Sequence, residues 1–210
     1  MSNIVRLGIV LAIVTLIAAF VLAEIYSVTK PRIEIQKKAK EREALDYVLP
    51  NAKVLEPVSK KIPIVNDEGD TLYQKEVVEY YRAYEKEDST GLIGYAFKAE
   101  GAGYSSIIET MVGFDTWGDI TRIKIISQKE TPGLGALAEN SEPFEGKKWS
   151  TQQFRDKSVE DLKVDKDGGE IVSITGATIT SRAITNSIRT EMKDLLNRIE
   201  FSPKDQTKEN

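Results

Sequence analysis

The chain has 210 residues and a formal net charge of −4, and it contains neither cysteine nor histidine. The negative charge argues against nucleic acid as a partner, because phosphate binding requires a basic surface. Without cysteine and histidine the chain cannot supply a thiolate-bound iron–sulfur cluster, a histidine-bound zinc or haem, or an imidazole base. Carboxylate-only metal sites remain possible, but the natural candidate for any redox chemistry is an organic cofactor.

An apolar run from Ile4 to Ala23 opens the chain, and Arg6 is its one charged residue. About 20 residues in a helix cover the roughly 30 Å hydrocarbon core of a bilayer. The run predicts a transmembrane anchor over residues 1–26, with a cleaved signal peptide as the alternative. Basic residues after the run favour a cytoplasmic domain, but large domains translocate with little regard to flanking charge.

Residues 27–50 are predicted as a second, largely charged helix, from Pro31 to Leu49, which stops at the Leu49-Pro50-Asn51 sequence. Residues 51–202 are predicted as one α+β domain with a mostly antiparallel sheet, because its strand-like segments follow one another without helices. These segments are Val54-Leu55 and Ile62–Val65, a hairpin turn at Asn66–Gly69, then Glu76–Tyr84, Gly91–Ala99, Ser106–Phe114 and Ile120–Ile126. A further short strand pair is predicted at Leu162–Val164 and Ile171–Ile174.

The last predicted element is a helix from Ser181 to Ile199, for which Thr180 or Ser181 is a suitable N-cap. Apolar residues recur along it at helical spacing and predict one buried stripe: Ile184, Ile188, Met192, Leu195 and Ile199. The tail over residues 203–210 is polar, and we expect it to be frayed.

The segment that joins the last strand to this helix is the candidate binding site. Gly176 and Ala177 allow the backbone to approach a ligand closely, and Thr175, Thr178 and Thr180 supply hydroxyls. A helix start also presents free N–H groups and the positive end of its dipole, so the expected guest is a phosphate group. The alternative is an ordinary capped helix start.

The sequence Thr175-Gly176-Ala177-Thr178-Ile179-Thr180 resembles the S/T-G-A-T-x-T motif of the FMN-binding domain family. This domain is found in the G subunit of the Rnf complex and in the C subunit of the Na⁺-pumping NADH:quinone reductase. The resemblance implies that a flavin transferase esterifies Thr178 to the FMN phosphate, with the other five residues around it. Val172 stands where the motif usually has aspartate.

A second stretch, Glu130-Thr131-Pro132-Gly133-Leu134-Gly135, resembles the E-T-P-G-L-G loop of the same family. The resemblance implies that Glu130, Thr131, Gly133 and Leu134 lie along the flavin; the alternative is a plain surface turn. Two weaker matches are a K-D-G-G turn at Lys166 and a G-x-G-aromatic turn that ends at Tyr104. A solvated lysine and an exposed aromatic are the alternatives there. Gln128 replaces a histidine that is frequent in the family.

The resemblance to the Rnf G subunit implies an N-terminal transmembrane helix followed by one FMN-binding α+β domain with flanking helices. It implies one covalent FMN and no catalytic or metal-binding residue, in a single-pass subunit of the inner membrane with its domain outside the cytoplasm. The complex would move electrons between ferredoxin and NAD, coupled to Na⁺ or H⁺ translocation, with other membrane subunits as partners, a second flavin-bearing one among them. A cofactor-free extracytoplasmic binding or scaffold module is the alternative. A self-sufficient flavin reductase is disfavoured, because no G-x-G-x-x-G fingerprint follows a strand.

Overall fold

The computed structural model describes residues 3–65, 71–143, 146 and 148–199. The predicted hairpin turn at Asn66–Gly69 and the polar tail over residues 203–210 lie outside these described residues. The chain divides into two compact units, Met1–Arg42 and Glu43–Asn210. Each unit is described by itself below.

Helix α1 runs from Asn3 to Val48, and most of it forms the first unit. Its most apolar stretch has a mean hydropathy of 2.7, and large apolar side chains such as Leu16 and Phe20 are exposed along it. Within the described residues, α1 is long enough and apolar enough to cross a bilayer. The predicted separation into an anchor and a second helix is not seen, since α1 continues through Pro31. The limits of 26, 50 and 202 that we assign to the domains remain predictions.

Five strands form one antiparallel sheet in which sequence neighbours are also spatial neighbours, in the order β1-β2-β3-β4-β5. Their bounds are Val54–Val65, Thr71–Tyr84, Leu92–Ala102, Ile107–Asp115 and Ile120–Ser127. The predicted antiparallel sheet is confirmed. The two short segments predicted at its start form one continuous β1. Strand β2 pairs with β3 only over Tyr80–Tyr84, so the earlier part of the β1–β2 hairpin extends beyond the sheet.

Helix α2 runs from Thr178 to Arg198 and packs against β3 and β4. The predicted apolar stripe is confirmed for Ile184, Ile188, Met192 and Leu195, which are all buried. Burying each such side chain contributes roughly 1.5–3 kcal/mol to stability. The stripe joins a core cluster that includes Phe97 and Val112 on the sheet.

The opposite face of the sheet is covered by the C-terminal end of α1. Ala44, Leu45 and Val48 pack in a second cluster with Ala96 and Met111. Because neighbouring residues of a strand point to opposite faces, Ala96 and Met111 lie on the side away from Phe97 and Val112. Strands β3 and β4 are therefore covered on both faces, which explains the continuous burial of β4 from Thr110 to Phe114.

The segment between β5 and α2 contains four short 3₁₀ turns within its described residues, at Gly135–Glu139, Thr151–Phe154, Val159–Asp161 and Asp165–Asp167. The predicted strand pair in this region is wrong: a single parallel bridge joins Val164 to Ile171. Phe154, Leu162, Val164 and Ile171 are all buried. Short apolar runs fill the core here without regular strands, and periodicity cannot separate these two cases.

Candidate functional site

A cavity of about 520 Å³ lies where the loop after β3, the loop after β5 and the start of α2 meet. This volume is in the range of pockets that hold small ligands and cofactors. The lining consists of Tyr104, Glu130, Thr131, Leu134, Gly135, Gly176, Ala177, Thr178, Ile179 and Thr180. Residues from both motifs, which are distant in sequence, thus share one pocket.

The start of α2 presents free backbone donors to this pocket. The helix begins at Thr178, its N-cap is Ala177, and no side chain caps it. The backbone N–H of Ser181 is the first to reach the helical acceptor, the Ala177 carbonyl at 3.1 Å. The N–H groups of the three preceding residues therefore have no partner within the helix. Gly176 has a φ of +78°, which favours glycine at the turn into the helix.

The predicted N-cap role of Thr180 or Ser181 is wrong, because both hydroxyls are engaged elsewhere. Ser181 Oγ donates to the carbonyl of Ala177 at 3.1 Å and accepts the backbone N–H of Ile174 at 2.9 Å. Thr180 Oγ1 donates to Oε2 of Glu130 at 2.6 Å. Because neither hydroxyl caps the backbone, the first turn of α2 stays open to a ligand.

The three threonines of the motif have different surroundings. Thr175 is exposed and does not line the pocket, whereas Thr180 is fully buried. Thr178 is half-buried, and its hydroxyl has no hydrogen-bond partner among the residues that the structure describes. Thr178 therefore combines a position in the pocket lining with an uncommitted hydroxyl.

Glu130 is buried, with 6% of its surface exposed. Its carboxylate accepts the backbone N–H groups of Tyr104, Ser105 and Ser106 at 3.2, 2.9 and 3.0 Å. It also accepts the hydroxyls of Ser106 at 3.2 Å and Thr180 at 2.6 Å. Burial alone would raise the pKa of Glu130, but the hydrogen bonds from Thr180 and the three backbone N–H groups outweigh it, and its pKa lies below the ordinary value. The Glu130 side chain is thus an ionised hydrogen-bond acceptor in the pocket lining.

Gly135 allows the loop after β5 to pack tightly against this carboxylate. A Cβ at this position would lie 2.8 Å from Cβ and Oε2 of Glu130 and 2.8 Å from Oγ1 of Thr180. Contacts of this length are too short for any side chain, so only glycine fits without a shift. Gly135 is the last residue of the E-T-P-G-L-G motif, but it was not among the site residues predicted from the sequence.

Three large side chains with apolar surface in the pocket lining are exposed. Leu134, Ile179 and Tyr104 are 42%, 51% and 73% exposed, and all three contribute to the lining. Thr131 also lines it. Gly133 is exposed and lies outside the lining. An aromatic ring system could bury these apolar surfaces, which supplies a reason for their exposure.

Lys166 is not among the residues that line the pocket. It lies in the 3₁₀ turn Asp165–Asp167, with its ammonium 4.0 Å from Oδ2 of Asp165. The two aspartates of that turn have contacts that sequence reasoning missed. Asp167 forms a two-pronged ion pair with Arg182 in the first turns of α2, at distances of 2.6 to 3.1 Å. Asp165 accepts the backbone N–H and the hydroxyl of Ser173. The turn therefore supports the segment that leads into the helix.

These residues fit the chemistry of FMN. The free N–H groups at the start of α2 suit a phosphate, the Thr178 hydroxyl can be esterified, and the exposed apolar side chains suit a flavin ring. Among the described residues, no cluster of three or more carboxylates could hold a metal ion.

Comparison with known proteins also indicates an FMN-binding domain. Residues 103–193 match the FMN-binding domain family, and residues 1–48 match the RnfG N-terminal region family. The chain is 31% identical over 189 residues to the G subunit of the ion-translocating oxidoreductase complex of Methanosarcina acetivorans, covering 89% of this chain and 92% of the relative. Identity to the G subunit of the same complex from Pasteurella multocida is also 31%, over 193 residues, covering 91% and 93%.

Among solved structures, the crystal structure of the C subunit of Na⁺-translocating NADH-quinone reductase from Parabacteroides distasonis is similar at 18% identity. Its TM-score is 0.47, and the match covers 76% of this chain and 94% of that chain.

The pocket and the family match over residues 103–193 define this chain as a protein with an FMN-binding domain. An apolar helix precedes that domain. The chain belongs to the family of G subunits of ion-translocating oxidoreductase complexes.

Proposed function

We propose that this chain carries one FMN, joined through its phosphate to Oγ1 of Thr178, and relays electrons as part of an ion-translocating oxidoreductase complex. One observation carries the proposal. Thr178 lines the pocket, its hydroxyl has no hydrogen-bond partner among the described residues, and the first three N–H groups of α2 have no partner within the helix. A phosphate bound at the start of α2 would therefore lie next to the hydroxyl to which it would be esterified.

The start of α2 would hold the phosphate. The backbone N–H groups of Thr178, Ile179 and Thr180 would donate to its oxygens, and the helix dipole would favour its negative charge. Leu134 and Tyr104, whose apolar surface is exposed, would contact the flavin ring. Gly176 permits the turn that leads into this helix start, since any other residue there would adopt a strained left-handed conformation.

Attachment forms one P–O bond and breaks another. The Thr178 oxygen would attack the phosphorus of an activated flavin phosphate, and the leaving group would depart with the electron pair of the P–O bond that breaks. The hydroxyl proton would be lost to solvent or to the transferase. We assign catalysis of this step to a separate flavin transferase, as the family resemblance implies. The net product differs from protein plus FMN by the loss of one water.

When bound, FMN accepts and donates one or two electrons. The chain contributes the covalent tether, the orientation of the ring and an apolar wall, and it exposes the pocket mouth to an electron-transfer partner. Covalent attachment prevents loss of the flavin where the free nucleotide is scarce.

The wider setting is proposed from the family. As a G subunit, the chain would act with other membrane subunits, including a second flavin-bearing one. The complex would move electrons between ferredoxin and NAD, coupled to Na⁺ or H⁺ translocation. The apolar part of α1 would cross the membrane once, with the FMN-binding domain on the extracytoplasmic side.

The test is the intact mass of the full chain, produced together with a flavin transferase, followed by peptide mapping. We expect a mass increase of one FMN less one water, located on the peptide that contains Thr178 and retained in denaturant. Thr178→Ala should abolish it. Thr175→Ala is the matched control, because this threonine is three residues away, exposed and outside the lining, and it should retain the flavin. Undiminished covalent flavin in Thr178→Ala would refute the proposal.

A further inference from the structure

Glu130 connects the three segments that form the pocket. It lies in the loop after β5, and its carboxylate accepts three backbone N–H groups from the loop after β3. The same carboxylate accepts the hydroxyl of Thr180 in the first turn of α2. The family resemblance assigned Glu130 to the flavin. However, its oxygens already accept five hydrogen bonds from the chain itself.

The chemistry of this group requires an ionised carboxylate. The groups that converge on it are all donors, and an ionised glutamate is a pure acceptor. A glutamine amide has the same shape, but its NH₂ would face donors in a site that is 6% exposed. The structure therefore depends on the charge at this position as well as on its size.

The contact with Thr180 has a second consequence. Two threonines of the first turn of α2 line the pocket, Thr178 and Thr180. Thr180 is fully buried and its hydroxyl donates a hydrogen bond to Glu130, so a transferase cannot reach its oxygen. Thr178 is half-buried and keeps an uncommitted hydroxyl.

We propose that Glu130 is a positioning residue that fixes the pocket by holding residues 104–106 and Thr180, and that it selects Thr178 for flavin attachment by sequestering the Thr180 hydroxyl. This inference rests on the proposed function. It assigns Glu130 and Thr180 to the support of the site, and it leaves the free helix N–H groups and Thr178 as the groups that hold the phosphate.

The test compares covalent flavin in the full wild-type chain with that in Glu130→Gln and Thr180→Val, each produced with the transferase and analysed by intact mass and peptide mapping. In Glu130→Gln, covalent flavin should fall by about tenfold, because buried donors lose their acceptor and the loop after β3 is released. In Thr180→Val, flavin should remain on Thr178 at a higher level than in Glu130→Gln, since Glu130 keeps its other four hydrogen bonds.

Glu139→Gln is the matched control. Glu139 is exposed at the end of the next 3₁₀ turn and accepts one hydrogen bond, from Gln128, so its flavin content should equal that of the wild type. The reduction potential of the residual flavin separates positioning from simple loss of fold. Removal of a negative charge under the pocket should make that potential more positive in Glu130→Gln, and Glu139→Gln should leave it unchanged.

The outcomes also separate this inference from the proposed function. A wild-type chain without covalent flavin would overturn both. Wild-type flavin on Thr178, with unchanged content and potential in Glu130→Gln, would overturn the positioning role alone. Loss of all flavin in Thr180→Val, with the label mapped to residue 180 in the wild type, would overturn the selection of Thr178.

Discussion

The hydroxyl of Thr180 donates a 2.6 Å hydrogen bond to Oε2 of Glu130, fifty residues earlier in the chain. This contact joins the loop after β5 to the first turn of α2, the two segments that carry the flavin-family motifs. A hydrogen bond to an ionised carboxylate is stronger than one between neutral groups. The separation of the two segments, and with it the shape of the pocket, therefore depends on the charge of Glu130.

Acid should remove this contribution. The pKa of Glu130 lies below its ordinary value of 4.5 in the folded chain, so its ionised form stabilises the fold fully above that value. The stabilisation is lost as pH falls through the lower, folded-state pKa. We expect the difference in free energy of unfolding between wild type and Glu130→Gln to shrink below about pH 4.5. Urea unfolding of the full chains in detergent, in steps from about pH 7 downward, measures it. A difference that stays constant into acid would show that the carboxylate charge has no role.

Substitution of Gly135 should disturb the hydrogen bond between Thr180 and Glu130. The added methyl of Gly135→Ala would lie 2.8 Å from Glu130 and from Thr180 Oγ1, so the loop or the carboxylate must move. Overpacking of this kind costs about 1–3 kcal/mol of stability. Urea unfolding and intact mass should show a less stable chain with less covalent flavin. Wild-type values for both would mean that the loop after β5 adjusts without affecting the pocket.

The sequence was sufficient to predict the sheet and the last helix because their signals are local. Ile184, Ile188 and Met192 repeat at helical spacing, and all three are buried. The segments that form β2 to β5 are rich in β-branched and aromatic residues, and turns separate them. The two motifs also meet in one pocket, because one follows β5 and the other leads into α2, and both elements could be recognised.

The remaining features depend on contacts between distant residues. Nothing near Glu130 in the sequence indicates that its carboxylate binds Thr180, and the threonine alone resembles an N-cap. Phe154 and Leu162 are buried in irregular chain, where no periodicity marks them. Pro31 indicated a helix boundary because proline lacks the N–H donor, yet α1 continues through it. At these positions the local sequence pattern did not indicate the observed structure.

The buried stripe of α2 should dominate the stability of the FMN-binding domain. Ile188 is fully buried in the core cluster, and Ile188→Ala should lower the free energy of unfolding by about 2–5 kcal/mol through lost burial and a cavity. Ile179→Ala is the matched control on the same helix, since Ile179 is 51% exposed. It should cost less than about 1 kcal/mol. Urea unfolding of both variants measures the comparison, and equal costs would contradict the packing of α2 against the sheet.

The side of the membrane on which the domain lies can be tested with thiol chemistry, because the chain has no cysteine. Glu87 is exposed in the turn between β2 and β3, so Glu87→Cys introduces a single accessible thiol without disturbing the core. A membrane-impermeant maleimide should label this variant in intact cells if the domain is extracytoplasmic, as we propose. Labelling after lysis verifies that the thiol is reactive, and the cysteine-free wild type sets the background. If label entered Glu87→Cys only after lysis, the domain would face the cytoplasm, as the basic residues after the apolar run favour, and the proposed topology would be wrong.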